Sequence, residues 1–306
     1  MTTCLRDRRV VSLAQNVPGP VAVAELRDMG ASVVKFEPPS GDPLALTSAD
    51  WYAELNSGIE VERLDVKASE GAARLEERLA HADLLVTSSR PSSLARLTLK
   101  WPDLQIRHSR LCWVAIVGYA APRQDVAGHD LTYQSAHGLV APPALPRTLV
   151  SDLAGAKQAV IAALGLLFAR ERGDGAGYAE VALAEAARLF AEPLRRGLTS
   201  AAGLLGGGLP AYNVYRAREG WVAVAALEPH FRRALGDGLG VDIRSRDALT
   251  SVFAQRSAAE WQAWAEARDL PIADVRGATT TRAFDNPGSA VSDESTTAHE
   301  GSGDFT

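Results

Sequence analysis

Cysteine is nearly missing from this chain: 306 residues carry two, Cys4 and Cys112. Two thiols so far apart frame neither a disulfide scaffold nor a metal-ligand spacing, so a reducing cytoplasm is the expected setting. The longest strongly apolar run, "AVIAALGLLFA" at 159–169, has 11 residues. That is too short to span a bilayer, and the opening "MTTCLRDRRVVSLAQ" lacks the apolar core of a signal peptide. Basic residues are in deficit, the net charge being −5, which argues against a protein that tracks nucleic-acid phosphates. No GxGxxG follows the first apolar segment, and no GxxxxGK[ST], HExxH, close His/Cys cluster or GxSxG occurs. These absences exclude the dinucleotide dehydrogenase, P-loop NTPase, zinc protease and serine hydrolase readings. They leave the expectation of no metal, no nucleic-acid or membrane partner, and no tightly bound cofactor.

What is present suits a soluble globular enzyme: 46% hydrophobic and 23% charged residues. "RRVVSLA" (8–14) reads as a buried strand, "PVAVAELRDMGA" as a helix with Pro20 near its start, and "SVVKFE" as a second strand. Strand, helix, strand within this span is a βαβ unit, which builds parallel sheets. The alternation continues through "VERLDV", a helix in "ASEGAARLEERLAHA" capped by Ser69, "DLLVTS", a helix ending before the proline of "RPSSLARLTLKWPDL", and "LCWVAIVGY". An α/β fold with an open, doubly wound sheet follows. Ligands then belong outside the carboxyl ends of its strands, at Asn16 to Pro20, Glu37 to Asp42, Ser88 to Arg90 and Gly118 to Asp130. A large domain is expected over 1–209 and a smaller α+β domain over 210–275, with a hairpin turning at "AREG" and amphipathic helices in "EPHFRRALGDGLG" and "ALTSVFAQRSAAEWQAWAEARD". The Ser/Thr/Gly-rich stretch 276–306 buries too little to order itself and reads as a flexible tail.

Several residues carry candidate chemistry, each with a plain structural alternative. Asp152 precedes a long apolar helix, as an N-cap does, but a carboxylate held at a helix N-terminus also suits a base or nucleophile. In "GHDLTY" (128–133), His129 is a candidate acid/base group or a structural histidine, and Asp130 a cap for the helix that follows. Glu228, just before Pro229, is a plausible N-cap. Arg90 in "SSRPSS" binds a phosphate or is merely solvated, and "LLGGGLP" is a lid or a linker.

Taken in order, these segments resemble the class III CoA-transferases, the family of formyl-CoA transferase and α-methylacyl-CoA racemase. The resemblance runs over about residues 5–275. It rests on "VVSLAQNVPGPVAVAELRDMGASVVKFEPPSGDP", "LDVKASEGAARLEERLAHADLLVTSSRP", "GHDLTY" and "VSDLAGAKQAVIAALGLLFARERGDGAGYAEVAL". It implies a large CoA-binding Rossmann-like domain, a smaller α+β domain and an interlocked homodimer. It further implies an acyl-CoA substrate, with coenzyme A entering only as part of that substrate. Asp152 matches the family's catalytic aspartate, His129 the racemases' histidine, and Glu228 an active-site glutamate. Lys35, Asp65, Lys67, Arg90, Gly128, Asp130 and Tyr133 fall where the family contacts CoA or the thioester.

Two chemistries share that aspartate: epimerisation at the α-carbon by an Asp/His pair, and CoA transfer through an Asp152-bound anhydride and thioester. "GHDLTY", "LPAYNVYRAREGWVAVAALEPHF" and "LLGGGLP" are closer to the racemase branch. The departures are Gly206 in place of the usual acid, "SGIEVERLDV" in place of a Lys/Arg-rich stretch, "SSRPSS" in place of Asn-Phe-Arg-Pro-Gly, a short connection from His129 to Asp152, and the polar C-terminus. They keep a non-catalytic CoA-binding relative among the alternatives.

Overall fold

The β-branched segments of the first 182 residues form strands β1 (Arg9–Ser12), β2 (Ser32–Glu37), β3 (Glu60–Arg63), β4 (Leu84–Thr87), β5 (Cys112–Val117) and β6 (Tyr178–Ala182). They pair in parallel throughout, in the order β3-β2-β1-β4-β5-β6. The chain divides into two compact units, Met1–Gly197 and Leu198–Thr306, and the computed structural model describes residues 3–276.

Strand β5 shows why the sheet is covered on both faces. Cys112, Val114 and Ile116 point into a core shared with the Pro18–Asp28 and Val150–Glu171 helices, through Val23, Leu26, Ala159 and Ala163. Trp113 and Ala115 point the other way, towards Leu79 of the Ser69–Leu79 helix, Leu94 of Pro91–Arg96 and Leu104 of Trp101–Arg107. Two buried faces explain the nearly continuous apolar runs of the strands. The winding direction reverses between β1 and β4, which makes the carboxyl ends of those two strands the topological switch point, where such sheets bind ligands.

Several local expectations are corrected. Ser69 is the first helical residue rather than the cap; Ala68 holds the cap position, with no side-chain bond. The helix expected before Pro102 is Pro91–Arg96, and a second, Trp101–Arg107, forms around that proline, because proline at the first or second helical position gives up an N–H that has no intrahelical partner anyway. The apolar run at 159–169 is part of a 22-residue helix, Val150–Glu171. A window of mean hydropathy 1.4 makes that helix long and apolar enough, by length and composition alone, to cross a membrane. Its inner face instead lies on the sheet through Ala156, Ala159 and Leu167.

The second unit contains an antiparallel sheet, β7 (Tyr212–Arg216), β8 (Trp221–Ala225) and β9 (Ile272–Asp274), whose hairpin turns at Ala217 to Gly220 as expected. Leu235, Leu249, Phe253 and Trp261 pack on that sheet. Strand β9 had no counterpart in the sequence reading, being only three residues long. The long segment expected as one helix near 248–269 is two, Arg246–Phe253 and Ala258–Glu266. They are separated by Ser257, whose hydroxyl and Glu260 form a capping box. The division between units falls at Gly197, where 209 was expected. The intervening residues bond within the second unit: the Gly207 carbonyl accepts from Asn213 Nδ2 at 3.4 Å and from Arg246 Nη2 at 2.5 Å. "LLGGG" is a short wide helical turn with Gly207 at φ 111°. Beyond Arg276, the tail expected to be flexible lies outside the described residues.

Candidate active site

At the switch point of the first unit, a cavity of about 250 Å³ opens between the carboxyl ends of β1, β4 and β5. Gln15 and Asn16 follow β1, Ser88 to Arg90 follow β4, and Gly118 follows β5. Two helix N-termini close the far wall: Asp130–Ala136 brings His129 and Tyr133, and Val150–Glu171 brings Asp152. A second cavity of about 260 Å³ lies beside it at the ends of β2 and β3, lined by Asp65, Lys67 and Arg96 over an apolar floor that includes Phe36 and Leu64. Gln15 and Ser89 belong to both walls.

The helix ends are tied in a way that separates the two aspartates by role. Asp152 is not the cap of its helix. Val150 is the first helical residue, Leu149 holds the cap position without a side-chain bond, and Asp152 lies within the first turn. Nor does Asp130 cap its own helix, since His129 holds that position and its N–H donates to Thr132 Oγ1 at 3.0 Å. Buried Asp130 instead caps the neighbouring helix: its Oδ1 accepts from Ser151 N–H at 2.7 Å and from Asp152 N–H at 3.1 Å. Gln134, one helical turn after Asp130, donates to its Oδ2 and to the Thr148 carbonyl, the latter at 3.0 Å. With the free N–H groups of its helix already taken, the Asp152 carboxylate is left to face the cavity.

Electrostatics follow from this arrangement. Burial pushes the Asp152 carboxyl up to about 7, and the Asp130 carboxylate beside it adds to the shift. Tyr133 is 3% exposed. Burial, with the nearby Tyr119 and Asp152, raises its hydroxyl to about 12, so that it stays protonated as a donor. The ring is wedged by two glycines. A Cβ on Gly118 would lie 2.3 Å from the Tyr133 hydroxyl oxygen, and one on Gly128 would lie 2.5 Å from Cε1. Tyr119 meets the same ring edge-on at 5.1 Å.

Of the residues singled out in the sequence, Asp152, His129, Tyr133, Gly128 and Arg90 line the inner cavity, and Asp65 and Lys67 the outer one. His129 and Arg90 are exposed. Asp65 Oδ1 accepts from the Lys67 N–H at 3.0 Å, which shapes the turn after β3. Lys35 lines neither cavity: it is buried, its ammonium 2.9 Å from Glu37 Oε1 and 2.7 Å from Asp42 Oδ2. Glu228 stands exposed at the N-terminus of the Pro229–Leu239 helix in the second unit, and its side chain makes no cap bond there. Ser89 falls in the strand end expected to meet a ligand, whereas Gln15, Arg96 and Gln134 were not singled out. Gln15 could have been found from its place just past a predicted strand, and Gln134 from its i+4 spacing to Asp130. Among the described residues no three His, Cys, Asp or Glu side chains gather as a metal site.

Comparison with known proteins agrees with this geometry. The profile of CoA-transferase family III matches residues 5–301, further than the stretch whose motifs carry the resemblance. The human alpha-methylacyl-CoA racemase is 28% identical over 294 residues, covering 84% of this chain and 74% of that protein. The cinnamoyl-CoA:phenyllactate CoA-transferase of Clostridium sporogenes is 32% identical over 143 residues, 42% of this chain and only 35% of that protein. A crystal structure of a hypothetical protein from Mycobacterium tuberculosis superposes with a TM-score of 0.78 at 22% identity, covering 89% of this chain and 83% of the other, a likeness of fold. With its sheet order, its cavity at the switch point and the profile match along its length, the chain belongs to CoA-transferase family III.

Proposed function

We propose that this protein epimerises the α-carbon of a 2-methylacyl-CoA thioester by proton transfer between Asp152 and His129. The observation that carries the reading is Asp152, poised near neutrality by burial and by Asp130, on the wall of a cavity that His129 also lines. A general base works best when its pKa lies near the working pH. In this reading the Asp152 carboxylate takes the α-proton, the electron pair moves onto the thioester carbonyl, and a protonated His129 returns a proton to the opposite face. Tyr133, kept protonated, donates a hydrogen bond to the developing oxyanion. Lys67 and Arg96 at the outer cavity and Arg90 at the inner one are the cations available to the CoA phosphates. The resemblance makes Glu228 a candidate active-site glutamate. The working form in this reading is a cytoplasmic homodimer, a state that light scattering would report.

A second reading has its own support. His129 is exposed while Asp152 sits deeper, and a CoA transfer through Asp152 as nucleophile needs only the one carboxylate. The deciding experiment is α-proton exchange: (S)-2-methylacyl-CoA in D2O, with deuterium at C2 followed by mass spectrometry and NMR. Epimerisation lost in both Asp152→Asn and His129→Ala is the expected result. Inversion at C2 that survives either substitution refutes the two-base mechanism, whereas exchange with retention is what one remaining base would give. No exchange, together with a hydroxylamine-sensitive CoA thioester on Asp152, would establish the transferase. CoA binding with neither would mark a non-catalytic relative.

A further inference from the structure

Lys35 occupies a place that no phosphate can reach. It projects from β2, and Lys35, Glu37 and Asp42 are each 1% exposed. Its ammonium is the buried cation of the group, paired with Asp42 Oδ2 at 2.7 Å and Glu37 Oε1 at 2.9 Å. Glu37 also accepts from Tyr52 Oη at 2.9 Å and from Arg63 Nε at 3.3 Å. Asp42 turns its other oxygen to two backbone groups, Leu44 N–H at 3.0 Å and Asn16 N–H at 2.9 Å.

The last bond matters most. Asn16 follows β1, lines the inner cavity and holds φ at +66°, a left-handed backbone that a non-glycine residue keeps only when its surroundings impose it. Its neighbour Gln15 is held from the opposite side, its N–H donating to Ser88 Oγ at 2.9 Å. The two residues are thus clamped between the ends of β2 and β4. Gln15 lines both cavities, and Glu37 lines the outer one. One buried ammonium therefore sets two carboxylates: Glu37, which lines the outer cavity, and Asp42, which holds the Asn16 N–H. Buried charges of this kind bring little net stability, which leaves the fixed geometry of the Gln15–Asn16 wall as what they supply.

We infer that Lys35 is a positioning residue: through Asp42 and Glu37 it locks the Gln15–Asn16 wall in the left-handed geometry that seats the acyl thioester against Asp152. The catalytic part of this inference rests on the epimerase reading above; the clamp itself does not. The test compares the wild type with Lys35→Met and with Lys35→Met/Asp42→Asn, the second variant avoiding a stranded buried carboxylate at position 42 if the first fails to fold. Three quantities are read: hydrogen exchange of the peptide spanning 13–21, Kd for CoA by calorimetry, and the rate and KM of α-proton exchange.

The expected result is a local loss of protection at Asn16 of about tenfold or more, a turnover rate down about tenfold to a hundredfold, and Kd for CoA within about threefold of wild type, since small misplacements cost rate before affinity. Weaker CoA binding with unchanged turnover would overturn the inference. So would protection lost evenly across the sheet with full turnover per folded molecule, the mark of a merely structural pair. If the wild type exchanges no α-proton, the epimerase reading fails, while the protection of Asn16 still decides the clamp.

Discussion

Replacing Asp152 by Asn should make the protein more stable, and increasingly so as the pH rises. In the folded chain the Asp152 carboxyl titrates near about 7, against 3.8 for an unperturbed aspartate. A raised folded-state pKa means that, between those values, the folded protein holds a proton that the unfolded chain has released, so stability falls as pH rises through the window. Three units at about 1.4 kcal/mol each set a ceiling of about 4 kcal/mol on the penalty above pH 7. For a chain of this size that corresponds to a Tm difference on the order of 10 °C.

Asn keeps the shape and the backbone N–H that Asp130 accepts, so the capping arrangement survives while the ionisation is removed. The assay is urea or thermal unfolding of both proteins from pH 4 to pH 8, without ligand. The two should coincide near pH 4 and separate steadily to pH 7, the variant lying above. Parallel curves across that range, or a wild type that gains on the variant with rising pH, would refute the account of a desolvated carboxylate beside a second one. The same protein should lose epimerisation, so stability and activity move in opposite directions at one residue, as expected where a strained site is kept for function.

Two further outcomes follow from the same geometry. Asp130→Asn keeps an oxygen for the Ser151 and Asp152 amides but removes the neighbouring charge. The acidic limb of the α-proton exchange profile should therefore move to lower pH, whereas an unmoved limb would show that burial alone sets the Asp152 acidity. Gly128→Ala places a methyl 2.5 Å from Cε1 of the buried Tyr133 ring, so overpacking of about 1–3 kcal/mol is expected in urea unfolding. Wild-type stability there would mean that the ring can step aside.

How much of this was legible in the sequence depends on the range of the interaction that decides each feature. The strands were legible because two buried faces leave unbroken β-branched runs, as in "CWVAIV" and "SVVKFE". Their carboxyl ends narrowed the ligand site to four loops, and the strand order, which fixes the switch point, decides which of those loops meet around the inner cavity. The caps were misread because a cap is a hydrogen bond, and its partner need not be local. Asp152 has the sequence signature of an N-cap, yet the oxygen that does the capping comes from Asp130, across a proline-rich connection. That substitution leaves the Asp152 carboxylate facing the cavity: a carboxylate spent on its own helix would have its lone pairs occupied and its pKa drawn down rather than up.

Lys35 was misread for the related reason that charge in a sequence carries no sign of depth. In "SVVKFE" the alternation that buries Val33 also turns Lys35 inward at the end of β2, where Glu37 and Asp42 already wait. In both places the local sequence marks a charged residue near the strand ends but not the hydrogen bonds it makes. Its job is set by which of two nearby carboxylates is already occupied by backbone amides or by an ammonium. That is settled only when segments distant in sequence meet at the ends of a parallel sheet.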